Sequence, residues 1–356
     1  LRVLIVDDSA FMRKVIAQVL SSDPSIEVVG TARNGQEGVE KVKLLKPDVV
    51  TMDIEMPILD GLAALKKIRL ECPEPRPAVL MCSTLTSEGS HEALRALRLG
   101  AADVIAKDAS FLAGNTTTMQ SELIEKIRAI SGHRESIRAV AKSAASAAQA
   151  PTTFRLGDRP VDLVLIGSST GGPPVLEKIL TKLPTDFPVP VVVAQHMPAM
   201  FTKSVAERLD QTCAITVVHG DQEIELHAGT ACITQGGRHG RVIRRGGKLW
   251  FNIGDEPKSA IFKPSVNELF SSASRCGLRG VLGIVLTGMG EDGAIGAKEL
   301  RASGGVILAQ DAASCVVYGM PRAVVENGSA EASMTPGEMT EVLSALSRAQ
   351  SKGRAA

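Results

Sequence analysis

Residues 161–180 read VDLVLIGSSTGGPPVLEKIL. An unbroken apolar run closes on two serines, a threonine and two glycines, and the segment after it spaces its apolar side chains for one face of a helix. A run that is apolar at every position suits a strand buried on both faces. Strand, glycine turn and helix together form the repeating unit of a parallel sheet covered by helices. PVVVAQHM at 190–197, VLGIVLTGMG at 281–290 and GVILAQD at 305–311 repeat the theme, and a hairpin-rich insertion is expected near 217–253. The rear of the chain is therefore read as a Rossmann-like α/β domain over residues 161–350. MTEVLSALSRA at 339–349 is expected to form a terminal helix and the last residues, SKGRAA, to fray.

Working outward to the front, residues 3–126 alternate short apolar strands with amphipathic helices. The strands are VLIV, EVVGTA, DVVTMDI, AVLMCS and DVIA. Five such strands predict a five-stranded parallel sheet covered on both faces, in a domain spanning residues 1–126. Between the halves, residues 127–160 change character: from 131 the chain is rich in Ala, Ser and charge and ends in turn formers, which reads as a partly helical or flexible linker.

Composition narrows the function. The 356 residues, 44% hydrophobic, suffice for more than one core, while 3% aromatic content argues against a stacking platform for nucleic acid. Forty basic and 39 acidic residues leave a formal net charge of +1, so no global basic field is present. RHGRVIRRGGK at 238–248 is a local exception, and its glycine turn and interleaved apolar residues favour a solvated hairpin or a contact edge; no nucleic-acid partner is expected. The six cysteines, at 72, 82, 213, 232, 276 and 315, form no C-x-x-C pair, and the chain opens on a strand pattern with no signal-peptide character. A reducing cytoplasm is expected. The longest apolar runs, such as VPVVVA at 189–194, are too short to cross a bilayer, so no direct membrane insertion is expected and any membrane location depends on a partner.

Two sets of polar residues fall at strand ends. In the front domain Asp7 and Asp8 end the first strand, Asp53 the third, Ser83 follows the fourth and Lys107 the fifth. The carboxyl edge of a parallel sheet is where open α/β folds place ligands. Three carboxylates in a small volume repel one another unless a cation neutralises them, and all-oxygen donors suit Mg²⁺, with Asp8, Asp53 and the carbonyl of Glu55 as ligands. A phosphoryl group on Asp53 would meet the Lys107 ammonium and the Ser83 hydroxyl.

In the rear domain Ser169 stands at the strand-to-helix turn, near backbone N–H groups and a helix N-terminus. Taken alone, S-T-G-G also fits a plain tight turn or a phosphate cradle. His196 after PVVVAQ and Asp292 after VLGIVLTGMGE change that reading, since a hydroxyl, an imidazole and a carboxylate at three strand ends can form a base-activated nucleophile. The order Ser, His, Asp differs from that of α/β-hydrolases. His219, His227 and His239 compete for the base role, while His91 and His133 lie in the front domain and linker; none shows compact zinc-ligand spacing. A phosphorylation-responsive binding module without turnover is the alternative, and the presence of both nucleophile and base weighs against it.

VDDS at 6–9, MDIEMPILDG at 52–61 and Lys107 resemble a response-regulator receiver. IGSSTGG at 166–172, QHMPAMFTKSVAERLD at 195–210, GGRH at 236–239, KPSVNELF at 263–270, LTGMGEDG at 286–293 and AQDAASCVVYGMP at 309–321 resemble the catalytic domain of the chemotaxis receptor methylesterase/glutamine deamidase family. The resemblance implies phosphorylation of Asp53 by a chemotaxis histidine kinase with Mg²⁺ bound nearby. It also implies hydrolysis of γ-glutamyl methyl esters and deamidation of selected glutamines on methyl-accepting chemotaxis receptors, without a cofactor for hydrolysis, by a protein recruited to membrane receptor arrays. The family's nucleophile, base and triad aspartate map onto Ser169, His196 and Asp292, and its oxyanion site onto Thr170 and the backbone around Met289. Departures are Val104 at the aromatic switch position, Asp108 where a proline usually follows the lysine, Met200 for a glycine, Gln235 for a proline, and Phe262 where a histidine often precedes the K/R-P-S run.

Overall fold

The computed structural model describes residues 1–84, 86–107, 120–132, 154, 156–157, 159–278 and 280–354, the last seven as backbone only. Asp108, His133 and most of the linker lie outside the described residues. The chain divides into two compact units, Leu1–Ser143 and Ala144–Ala356.

In the first unit, strands β1 (Arg2–Val6), β2 (Glu27–Ala32), β3 (Val49–Asp53), β4 (Ala78–Thr84) and β5 (Asp103–Lys107) form one sheet in the order β2-β1-β3-β4-β5. Every pairing is parallel. Helices α1 (Ala10–Ser21), α2 (Gly35–Leu45), α3 (Gly61–Glu71) and α4 (Ser87–Arg98) connect them. Each of these helices begins on a polar side chain, from Ser9, Asn34, Asp60 or Thr86, that accepts a backbone N–H of its first turn. Two of these caps lie inside the quoted motifs, so Ser9 of VDDS and Asp60 of MPILDG set where α1 and α3 start. Gly61 lies so close to the end of β3 that a Cβ there would sit 2.0 Å from the Asp53 carbonyl oxygen, which lets α3 start directly beside that residue.

Helix α5, residues 120–132, packs Leu123, Ile127 and Ile130 into the core of this unit. Lys126, where the domain was expected to end, lies in the middle of this helix. Its buried ammonium pairs with the buried Asp103 carboxylate of β5.

The second unit carries a seven-stranded parallel sheet in the order β15-β14-β13-β6-β7-β10-β8. Its strands are β6 (Leu163–Ser168), β7 (Val191–Gln195), β8 (Thr216–Gly220), β10 (Thr230–Thr234), β13 (Val281–Val285), β14 (Val306–Gln310) and β15 (Ala332–Met334). The helices are α6 (Gly172–Leu180), α7 (Ala199–Thr212), α8 (Val266–Ser274), α9 (Ala294–Ala302), α10 (Met320–Glu326) and α11 (Pro336–Arg354). From β6 the chain moves to β7 on one side and later returns as β13 on the other, which opens a crevice at the carboxyl ends of these three neighbours.

The expected hairpin insertion is smaller than 217–253. TVVHG and TACIT, as β8 and β10, pair in parallel within the main sheet. Only β11 (His239–Arg245) and β12 (Lys248–Gly254) form the hairpin, with β9 (Ile224–Glu225) alongside. Burial separates them: β10 is covered along nearly its whole length, whereas β11 alternates towards an exposed end. The basic run on this hairpin is neutralised locally, with Arg238, Arg241, Arg245 and Lys248 each meeting a carboxylate, from Asp255, Glu268, Glu223 and Glu225 respectively. Among the described residues no helix is long and apolar enough to cross a membrane.

The Lys126–Asp103 pair gives a test of how α5 is held. Lys126→Met should lower the unfolding free energy of the first unit by about 3–5 kcal/mol, because it leaves a carboxylate buried without its partner. Replacing both residues with apolar ones should recover most of the loss. Urea unfolding of the two variants checks this.

Candidate active site and receiver pocket

The residues expected to act in the rear domain come from adjacent strands. Ser169 follows β6, His196 follows β7, and Asp292 lies beyond β13 in the loop before α9. Ser169 and Asp292 are buried, and the His196 side chain is nearly so. His196 Nε2 lies 2.8 Å from Asp292 Oδ2. Its other ring nitrogen, Nδ1, is buried and has no hydrogen-bond partner among the described residues.

Asp292 is held more completely than sequence reasoning foresaw. Its Oδ1 accepts the Ser265 hydroxyl at 2.9 Å and the Asn267 N–H at 3.0 Å, and its Oδ2 accepts the Val266 N–H at 2.6 Å. These donors cap and open α8, so the carboxylate sits on that helix's N-terminus. Burial alone would raise its pKa, but the His196 contact and the backbone donors outweigh it and hold the carboxyl below its usual range. Asn267 also accepts the N–H groups of Gly293 and Gly296 on its side-chain oxygen, which ties α9 to α8 on either side of the aspartate. Phe262, in the same run before α8, stacks on His196 with centroids 4.5 Å apart and planes 5° from parallel.

A second buried network shapes the turn that carries Ser169. Ser168 donates to the Gln195 side-chain oxygen at 2.6 Å, and Gln195 Nε2 donates to the Ser169 carbonyl at 2.9 Å. Gly172 packs on this pair, since a Cβ there would sit 2.2 Å from Gln195 Oε1. Gly171 adopts φ +76° and opens α6. The Thr287 hydroxyl donates to the Thr170 carbonyl at 2.9 Å and accepts the N–H groups of Val316 and Val317. Of the two oxyanion expectations, Thr170 is buried in this turn, and Met289 is half-buried in the loop after β13. No hydrogen bond consumes the Met289 N–H among the described residues, whereas the Gly288 N–H is spent on the Val317 carbonyl. Gln195, Ser265, Asn267 and Thr287 were missed as supports. Their signal in the sequence was a polar residue closing an apolar strand or opening a helix.

In the first unit Asp7, Asp8 and Asp53 bring carboxylate oxygens within 4.8 Å of one another. Lys107 Nζ lies 2.7 Å from both Asp7 Oδ2 and Asp53 Oδ2. Burial pushes the Asp53 carboxyl up to about 6, with Lys107 opposing the shift. Burial by itself would lower the Lys107 pKa, but its anionic surroundings, Asp53 among them, raise it. Asp8, Asp53, Glu55, Met56, Pro57, Thr84 and Lys107 line an open pocket. The cluster offers only oxygen donors, a set that fits a hard divalent cation. Ser83 is not on the lining. Its buried hydroxyl donates to the Gly89 carbonyl at 2.8 Å, towards α4, and Thr84 occupies the rim. Val104, at the aromatic switch position, is a buried core residue of β5.

Residues 164–343 match the CheB methylesterase family, and residues 3–113 match the response regulator receiver domain. A protein-glutamate methylesterase/protein-glutamine glutaminase of Oleidesulfovibrio alaskensis is 45% identical, over 96% of this chain and 98% of that relative. One of Symbiobacterium thermophilum is also 45% identical, over 93% of this chain and 92% of its own. The CheB methylesterase catalytic domain of Thermotoga maritima superposes with a TM-score of 0.50 at 38% identity, covering 52% of this chain and 97% of that one. The chain thus belongs to the CheB family of two-domain proteins, a receiver joined to a methylesterase.

The remaining histidines of the catalytic unit lie apart from the Ser169 turn. His219 meets Thr202, and His227 is exposed beside Glu225. His239 is fully buried at the start of β11, and neither ring nitrogen makes an aligned hydrogen bond among the described residues. Burial holds its imidazole below the ordinary value. As pH falls through the unfolded value of about 6.5, the unfolded chain takes a proton there before the folded chain does. The stability gained by keeping this ring neutral is complete above that pH and lost below it. The unfolding midpoint of this unit should therefore fall between about pH 7 and pH 5, and His239→Leu should flatten the fall. An unchanged slope would move the effect to His219, whose imidazole burial also holds low.

Proposed function

We propose that this protein hydrolyses γ-glutamyl methyl esters, and deamidates selected glutamines, on methyl-accepting chemotaxis receptors, using Ser169, His196 and Asp292. The observation that carries this reading is the 2.8 Å contact between His196 and a fully bonded Asp292 at the same sheet edge as Ser169. Ser169 Oγ attacks the side-chain carbonyl carbon of the substrate while His196 takes the hydroxyl proton. Asp292 stays ionised, holds one ring nitrogen and stabilises the imidazolium that forms. The Met289 N–H, assisted by backbone in the Thr170 turn, meets the oxyanion. His196 then passes its proton to departing methanol or ammonia, and a water activated by the same base cleaves the acyl-enzyme to leave glutamate.

Asp53 is the phosphoacceptor in this proposal, with a chemotaxis histidine kinase as donor. Mg²⁺ held by Asp8, Asp53 and the Glu55 carbonyl would neutralise charge at the acceptor. Lys107, bridging Asp7 and Asp53, would meet the phosphoryl oxygens, and Ser83 would have to leave Gly89 to do the same. A receiver, a linker and a catalytic domain in that order, and a cytoplasmic location at receptor arrays, complete the reading.

Ser169→Ala and His196→Ala should fold and release little methanol from methylated receptor membranes. Asp292→Asn should slow turnover by on the order of 10²–10⁴-fold. Near-normal turnover by any of the three removes that residue from its role.

Treating the protein with a small acyl phosphate should label Asp53 only when Mg²⁺ is present, and the labelled protein should turn over receptor ester faster. Phosphopeptide mapping that finds the label solely elsewhere overturns the assignment.

A further inference from the structure

The contact between His196 and Phe262 has no counterpart in the proton-transfer scheme of the triad, yet it is a close and nearly parallel stack. The Cβ–Cγ bond and a hydrogen bond from Nε2 to Asp292 hold two opposite points of the ring and leave it rotation about the line between them. A face-to-face stack fixes the plane. Phe262 supplies that plane, at 4.5 Å and 5° from parallel. Its far edge lies beside Gly290, where an added Cβ would rest 3.7 Å from the Phe262 ring, so the phenyl fills the space between His196 and the loop that carries Met289 and Asp292.

The same short run also anchors the carboxylate. Three residues after Phe262, the Ser265 hydroxyl and then the Val266 and Asn267 N–H groups bind Asp292. A shift of this run would therefore move both partners of the His196–Asp292 pair together. With Nε2 held by Asp292, the ring has one nitrogen left, Nδ1, which is buried and bonded to nothing among the described residues.

We propose that Phe262 is a positioning residue of the reaction: by fixing the plane of His196 it makes Nδ1 the nitrogen that exchanges the Ser169 proton, while Nε2 keeps its proton on Asp292 throughout. The inference rests on the triad reading of Ser169, His196 and Asp292. In the resting enzyme the neutral ring carries hydrogen on Nε2, and Nδ1 is bare. As Ser169 Oγ bonds to the carbonyl carbon, its proton passes to Nδ1 and the carbonyl π electrons move to oxygen. When the tetrahedral centre collapses, the Nδ1 proton goes to the departing oxygen or nitrogen, and the ring returns to its starting tautomer.

The test uses the full-length protein labelled with ¹⁵N-histidine, with His196→Gln identifying the His196 signals. At a pH where the ring is neutral, Nε2 should give the protonated and Nδ1 the unprotonated nitrogen shift; the reverse pattern overturns the nitrogen assignment. In parallel, methanol release from methylated receptors is measured for Phe262→Ala, Phe262→Leu and Phe262→Tyr. Losing the stack should lower kcat about 3–10-fold in the Ala and Leu variants, with KM within about twofold of the parent, since the aromatic pair acts on ring orientation and not on substrate binding. Tyr, which restores a flat ring, should recover most of kcat. Unchanged kcat in Ala and Leu, or a loss confined to KM, overturns the positioning role. If Phe262→Ala does not fold, the Leu and Tyr pair carries the same comparison. His196→Ala run alongside separates the two levels: full activity there removes the triad reading itself, whereas an inactive His196→Ala with unaffected Phe262 variants removes only this inference.

Discussion

A buried carboxylate survives as an anion only where donors replace the water it has lost, and Asp292 organises its unit through that requirement. Four donors converge on it: the His196 ring, the Ser265 hydroxyl and the first two N–H groups of α8. The helix must therefore begin at the carboxylate, which places the run before α8 against His196. Asn267 then holds the start of α9 from the other side.

The two units solve different problems with one architecture. Both place polar side chains at the carboxyl ends of parallel strands, where the strand order reverses and a crevice opens. In the first unit three carboxylates face one lysine, an excess of negative charge that calls for a cation and leaves room for a phosphoryl group. In the second a single buried carboxylate takes four donors, one of them an imidazole. Charge balance, more than fold, separates a switch from a hydrolase here.

Much of this was legible in the residues. Continuous apolar runs such as LVLIG and PVVVA mark strands buried on both faces, and the residues that close each run at the sheet edge are polar. Asp7, Asp8, Asp53 and Lys107 come together, as do His196 and Asp292 beside the strand that leads to Ser169. The pattern was weaker where local signals and long-range pairing disagree. TVVHG and TACIT look like hairpin strands beside a glycine-rich segment, but they are parallel neighbours in the main sheet. Ser83 occupies the expected strand end, yet its hydroxyl turns to Gly89, a choice made by the packing of α4.

By itself the sequence determined the five parallel strands of the first unit, the buried strands β6, β7, β13 and β14 of the second, and which chemical groups stand at their ends, because hydrophobic periodicity and strand termini are local properties of the chain. Only the tertiary structure decided the order β13-β6-β7, which makes neighbours of Ser169, His196 and Asp292. It alone also set the donors on Asp292, the turn of Ser83 and the stack of Phe262 on His196. Apart from that of Ser83, those contacts join residues far apart in the chain, and their geometry comes from how sheets and helices close on one another, which no local pattern encodes.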